Sequence, residues 1–306
     1  MTDIYIISGF LGAGKTTLIE KLLRTCFADK NTVLVENDFG KVNIDAALLK
    51  SGGFQVRELS GGCICCTLTG DFVKSIQEVI SAYSPEIILI EPSGVGKLSD
   101  IEQSCYSMNL TSCTNVCQKI TAVDVTHCRS YLENFGEFFK DQVQGADILY
   151  LTRVEATDAK IKNTKHLLRE INAEAPIVMS ASELINLIGQ KKKNKAVQPE
   201  SDDNCHCHHN HETDGNFETV TIQFQNPVNM DKIKQSIEKL EQSKYTHVLR
   251  AKGILKWKEN RYISLQYVPG ELNTMPTVAV GNYLCFIGSK LDRLEVKHLF
   301  DGGTIL

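Results

Sequence analysis

Residues 4–23 read IYIISGFLGAGKTTLIEKLL: a short apolar run, a glycine-rich turn, then apolar residues at helical spacing. Gly9, Gly14, Lys15 and Thr16 satisfy GxxxxGK[ST], and the motif stands between a strand-like and a helix-like segment, the setting its chemistry needs. Gly9, Gly12 and Gly14, with Ala13 among them, let backbone N–H groups curl around phosphates. Lys15 brings a point charge to the β- and γ-oxygens, and the Thr16 hydroxyl is placed for Mg2+, with Thr17 next to it at the helix start. An accidental glycine-rich turn is the bland alternative, and the flanking strand and helix weigh against it. The stretch reads as a nucleoside triphosphate site.

The same pattern continues outward. Apolar runs at 4–8, 32–36, 86–91, 119–124, 147–152 and 176–180 alternate with helical patterns such as 16–25 and 159–171. Short, uniformly apolar runs are what strands covered on both faces look like. Residues 1–190 are therefore expected to form a P-loop α/β domain with a doubly wound, mostly parallel sheet. Residues 191–216 hold a basic run, an acidic run and a Cys/His tract with almost no large apolar side chain, which makes them a linker. From Phe217 alternation resumes. Ile233, Ile237 and Leu240 mark a helix, and segments at 247–257, 261–267 and 282–288 read as strands of a small α+β domain over 217–306.

The 306 residues are 42% hydrophobic and 23% charged, which excludes wholesale disorder and a fibrous repeat. Lys and Arg number 33 against 37 Asp and Glu, a net charge of -4 that weighs against nucleic acid as a partner. No apolar run reaches the roughly 18 residues of a membrane span, and the opening lacks the basic region of a signal peptide. A cytoplasmic protein without membrane contact is expected. The unusual counts are 11 Cys and 8 His. In a reducing compartment they favour metal, redox chemistry or burial over disulfides.

Glu91 ends the run EIILIE and is followed by Gly94, a hhhExxG pattern. A carboxylate there can hold Mg2+ through water, and the Gly94 N–H can meet the γ-phosphate. Cys63, Cys65 and Cys66 lie within GGCICC. Three clustered thiolates suit Zn2+ or Cu(I), with buried thiols or a redox pair as the other readings. Cys205, His206, Cys207, His208, His209 and His211 lie in the polar linker and read as an accessory metal reservoir, or as a solvated insert that binds metal incidentally. Cys26, Cys105, Cys113, Cys117, Cys128 and Cys285 lack metal spacing and are expected to be buried. Cys113 and Cys117, at i and i+4, could pair on a helix. His127, His166, His247 and His298 read as surface or packed histidines.

GFLGAGKTT (9–17), ENDFG (36–40), GGCICC (61–66), EPSG (91–94) and TRVE (152–155) occur in the order seen in CobW-like P-loop GTPases, and the chain resembles that family of metallochaperones. Their relatives are the urease and hydrogenase nickel-insertion GTPases. LRAKGILKW (249–257) and CFIGSKLD (285–292) look like the CobW C-terminal domain. The resemblance implies GTP hydrolysis with Mg2+, coupled to delivery of Zn2+, or another transition metal such as Co2+, to a client metalloprotein. The CxCC cysteines would be the ligands.

Two segments depart from the family pattern. NEFGE is here Asn37-Asp38-Phe39-Gly40-Lys41, which leaves Asp38 as a candidate metal or Mg2+ ligand, and Asp38 or Glu91 to position the attacking water. NKxD is here Thr152-Arg153-Val154-Glu155. The resemblance assigns Glu155 to the guanine N1–H and N2–H, lays the Arg153 stem over the base, and has Thr152 stand in for Asn. Ser180-Ala181 add a backbone contact to the base.

Other functions compatible with these residues are a dedicated activator of one metalloenzyme or of corrinoid and cobalt assembly, a metal buffer built on the Cys/His tract, and an ATP-dependent small-molecule kinase. The oligomeric state stays open, a nucleotide- or metal-dependent dimer included.

Overall fold

A computed structural model describes residues 1–36, 56–58, 69–188, 217–243, 246–289, 291–300 and 302–305. β1 (Thr2–Gly9) leads through the glycine-rich turn into α1 (Lys15–Arg24), followed by β2 (Thr32–Glu36) and β3 (Val56–Glu58). Then come α2 (Thr69–Tyr83), β4 (Ile87–Glu91), α3 (Leu98–Cys105), α4 (Met108–Thr111) and β5 (Thr114–Asp124). α5 (Cys128–Asn134), α6 (Gly136–Gln144), β6 (Ile148–Thr152), α7 (Asp158–Ile171), β7 (Ile177–Val178) and α8 (Ala181–Ile188) complete the first sheet and its helices.

These strands form one parallel seven-stranded sheet in the order β3-β2-β4-β1-β5-β6-β7. Successive residues of β1 point to opposite faces. Ile4 and Ile6 pack with Phe72, Ile76 and Leu98, whereas Tyr5 and Ile7 pack with Leu18, Ile19 and Leu22 of α1. Each such fully buried aliphatic side chain contributes roughly 1.5–3 kcal/mol relative to exposure. This two-sided burial is why the strands are apolar throughout. The strand order runs outward from β1 in both directions, so its carboxyl end lies at the switch point where such sheets bind ligands.

The second sheet is antiparallel. β8 (Phe217–Phe224), α9 (Met230–Glu241), β9 (His247–Lys258), β10 (Arg261–Val268), β11 (Glu271–Thr277), β12 (Tyr283–Ser289), α10 (Arg293–Leu299) and β13 (Gly303–Ile305) follow in sequence. The strand order is β11-β10-β9-β12-β8-β13. One face carries Ile222, Leu255, Leu265, Leu284 and Phe286 against Ile233, Ile237 and Leu240 of α9. Side-chain caps start both helices: Asn229 accepts from the amides of Asp231 and Lys232, and Asp292 from those of Leu294 and Glu295.

β11 was not among the expected strands, because ELNTMPT is polar and contains Pro276. It is an edge strand, where a missing N–H costs no ladder bond. Cys113 and Cys117 do not share a helix, since Cys117 lies in β5 and Cys113 directly precedes it. Cys105, Cys128 and Cys285 are buried, whereas Cys26, Cys113 and Cys117 are half-buried. Burial pushes the Cys105 and Cys128 thiols up to about 12, so neither supplies a thiolate near neutrality.

Candidate functional site

A cleft of 990 Å3 opens beside the phosphate loop. It is of the size that holds small-molecule ligands. Gly12, Gly14, Lys15, Thr16 and Thr17 line one part and Thr152, Arg153, Glu155, Ser180 and Ala181 another. The remaining wall belongs to the second sheet and includes Ser264, Gln266, Glu271 and Asn273.

Gly14 has φ +89° and starts α1 in the left-handed region, which a side chain would strain. The loop closes on itself through the Ala13 amide, which donates to the Phe10 carbonyl at 3.2 Å. Lys15 is only 4% exposed, and its Nζ donates to the carbonyls of Gly9 at 3.0 Å and Phe10 at 3.3 Å. The ammonium is thus held inside the loop, at the place where a phosphate oxygen can exchange for a carbonyl.

Thr16 Oγ1 donates to Glu91 Oε1 at 3.5 Å, which joins the first helix to the end of β4. Glu36 ends the neighbouring strand and is paired in register with Glu91. Both glutamates are buried. A hydroxyl and carboxylates form an all-oxygen donor set that suits a hard dication such as Mg2+. Gly94 brings its backbone against the phosphate loop: a Cβ there would lie 2.8 Å from the Leu11 nitrogen. Gln142 secures this approach by donating to the Gly94 carbonyl at 3.1 Å and the Gly96 carbonyl at 2.8 Å.

At the other end, Thr152 Oγ1 faces the Ala13 carbonyl at 2.9 Å and the Val123 carbonyl at 3.3 Å. Its proton is therefore used to tie the β6 end to the phosphate loop. Arg153 has φ +55°, an uncommon conformation for a side-chain-bearing residue. Its guanidinium reaches Asp124 at 3.3 Å and pairs with Glu271. Glu155 is exposed at the cleft, and its carboxylate makes no ion pair among the described residues. The Ser180 amide is engaged by Glu183 at 3.3 Å, so this amide is spent within the loop.

Asp124 is fully buried and accepts from the Thr126 amide, the Thr126 hydroxyl and His127 Nδ1 at 2.8, 2.6 and 2.8 Å. Burial alone would raise its pKa. The His127 and Thr126 hydrogen bonds and the Arg153 charge outweigh that and hold it below the ordinary carboxylate range. His127 is thus a packed histidine, half-buried, stacked on Tyr131 and bonded to Asp124.

The structure brings Gly9, Gly12, Ala13, Gly14, Lys15, Thr16, Thr17, Glu91, Gly94, Thr152, Arg153 and Glu155 around one region. Asp38, Cys63, Cys65, Cys66, Cys205, His206, Cys207, His208, His209 and His211 lie outside the described residues, and among those described no cluster of three or more metal-ligating side chains occurs. The sequence reading missed Glu36, Asp124 and Glu271. For Asp124 a signal existed: an acid at a strand end followed by Thr at i+2 and His at i+3 is a self-capping turn. Nothing in the residues around Glu271 marked it.

Residues 3–179 match the family described as "CobW/HypB/UreG, nucleotide-binding domain", and residues 217–303 match "Cobalamin synthesis protein cobW C-terminal domain". The zinc chaperone YjiA of Escherichia coli is 25% identical over 82% of this chain and 81% of its own length. The zinc-regulated GTPase metalloprotein activator 1 of Dictyostelium discoideum is 27% identical over 60% of this chain and 46% of its own. The chain therefore spans less than half of that relative. The crystal structure of Zn(II)-bound YjiA GTPase from E. coli covers 98% of both chains with a TM-score of 0.47 and 20% identity. The two family matches together take in both sheets described above, and the chain belongs to the CobW/HypB/UreG family.

Proposed function

We propose that the chain is a GTP-hydrolysing metallochaperone of the cytoplasm. It binds GTP with Mg2+ in the cleft, takes a transition metal at Cys63, Cys65 and Cys66, and passes that metal to a client metalloprotein. The observation that carries this reading is that the phosphate loop, the Thr16 hydroxyl and the exposed Glu155 carboxylate share one cleft, with Glu91 bonded to that hydroxyl from behind. No described helix is long and apolar enough to cross a membrane.

Each residue has a physical task. Lys15 exchanges its carbonyl partners for β- and γ-phosphate oxygens and stabilises the charge that develops there. Thr16 and Glu91, with Glu36 alongside, would hold Mg2+, which when bound neutralises phosphate charge. Glu91 or Asp38 orients the attacking water. Glu155 accepts from guanine N1–H and N2–H, and the Arg153 stem covers the base. Thr152 serves the site indirectly, by fixing the strand end that carries Arg153 and Glu155 to the phosphate loop.

Soft thiolates at 63, 65 and 66 favour zinc as cargo, and relatives named as zinc chaperones support the same choice. The Cys205–His211 tract is an accessory reservoir. If GTP tightens metal binding, metal tightens GTP binding by the same factor. The test is nucleotide turnover with GTP and ATP across a series of divalent metals, on the wild type and on Cys65→Ala. GTP preference and a zinc response lost in the variant are expected. Equal use of ATP, or a zinc response that survives in Cys65→Ala, would sink the proposal.

A further inference from the structure

The second sheet has one apolar face, already covered by α9, and a more polar face that also carries Ile254, Val268, Cys285 and Ile287. Strand parity puts Arg250, Lys252, Ser264, Gln266, Glu271 and Asn273 on the polar face. In most antiparallel sheets such a face meets solvent. Here Arg250, Lys252 and Ser264 are buried. Ile287, on the same face, packs in one cluster with Phe10 and Leu11 of the phosphate loop.

The hairpin between β10 and β11 also reaches the phosphate loop. Val268, at the end of β10, packs against Gly12, which has no room for a Cβ. Its register partner Glu271, at the start of β11, pairs with Arg153. The turn between them is anchored on its own domain, because the Gly270 amide donates to Glu241 of α9 at 2.7 Å. Two neighbouring positions of one hairpin therefore touch both the phosphate end and the base end of the cleft. Arg153 needs this support. A non-glycine residue at positive φ persists only where its surroundings hold it, and Asp124 with Glu271 are the two carboxylates that do so.

We propose that Glu271 is a positioning residue for the nucleotide base: by holding the Arg153 guanidinium it sets the path of the Arg153 stem, and so couples base binding to docking of the second sheet. The proposal rests on the cleft's being a guanine nucleotide site. Linkage makes the coupling reciprocal, so a bound base also holds the hairpin down.

The test measures binding of a non-hydrolysable GTP analogue and of inorganic tripolyphosphate to the full-length wild type, Glu271→Gln and Glu271→Asp. Glu271→Gln should weaken the analogue on the order of ten-fold while tripolyphosphate changes less than about two-fold. Glu271→Asp should recover part of the loss. Unchanged analogue affinity overturns the proposal, and so does an equal loss for tripolyphosphate, the mark of a merely structural role. A wild type that binds the analogue no better than tripolyphosphate removes the guanine reading itself, and the proposal with it. Amide hydrogen exchange on the wild type needs no variant: the analogue should slow exchange over residues 264–275 more than tripolyphosphate does, and equal protection by both refutes the coupling.

Discussion

The two sheets solve burial differently, and the difference locates the chemistry. In the parallel sheet both faces are apolar and covered, so polar side chains are pushed to the strand ends: Glu36, Glu91, Asp124 and Thr152 all terminate strands. In the antiparallel sheet one face is apolar throughout, while the other mixes Ile254, Cys285 and Ile287 with polar side chains that are available to build a wall. One sheet presents a row of strand ends and the other the polar side chains of Ser264, Gln266, Glu271 and Asn273, and the cleft is what lies between. A parallel sheet alone would leave the base end of that cleft open on one side.

If the cores are separate, damage to one should spare the other. Phe286 is fully buried and packs its ring 5.0 Å from that of Phe300. Phe286→Ala should cost about 3–5 kcal/mol in the second domain. Chemical denaturation followed by hydrogen exchange should show the loss in β8–β12 first. Equal loss in β1 and β4 would mean that the shared contact of Ile287 with Phe10 makes the two domains one cooperative unit, and the comparison would break there.

Lys15→Ala probes the other side of the comparison. The substitution removes the charge that faces the phosphates, and nucleotide affinity should fall on the order of 10²–10³-fold. The thermal midpoint without nucleotide should move little, since the loop also closes through the Ala13 amide and the Thr152 tie. A loss of fold instead of affinity would show that the Lys15 bonds to Gly9 and Phe10 are structural supports first.

These contrasts also explain what the sequence revealed. The parallel strands were legible because burial on two faces leaves uninterrupted apolar runs, and the phosphate loop because its glycines and Lys15 are fixed by chemistry. The polar wall was not legible. Ser264, Gln266 and Asn273 alternate with Leu265, Tyr267 and Leu272 as they would on a solvent-facing sheet, and a sequence does not say what covers such a face. β11 escaped for a related reason: Glu271–Thr277 has little apolar content, and only its pairing with β10 makes it a strand. The role of Thr152 was half legible. Its position in the TRVE segment was recognised, but its bonds to Ala13 and Val123 depend on how β5, β6 and the phosphate loop converge.

That convergence gives a smaller test. Thr152→Val keeps the shape and removes the hydroxyl, leaving the Ala13 carbonyl without this partner. A cost of about 1 kcal/mol is expected, with a several-fold loss of guanine nucleotide affinity, since the tie spans both ends of the cleft. Calorimetric titration beside a thermal melt separates the two. Loss of stability with unchanged affinity would confine Thr152 to the fold.

The mildest effect concerns acid. Asp124 is the buried carboxylate on which Thr126, His127 and Arg153 converge, and its pKa in the folded state lies below the ordinary value. A depressed carboxylate stabilises the fold above its unfolded pKa, near 3.9, and that contribution is lost as pH falls through the folded value. Stability of the wild type should therefore drop relative to Asp124→Asn as pH is lowered from about 5 to below about 4, and the difference between them should be flat from about pH 5 to 7. Denaturant midpoints measured against pH for both proteins give this difference directly. A gap that stays constant down to about pH 3 would mean that the hydrogen bonds to Asp124 hold equally well to its protonated form, and that the charge of Arg153 is balanced by Glu271 alone. The second sheet would then be the sole electrostatic support of the base loop, and the division of labour between the two sheets would be sharper than their geometry alone implies.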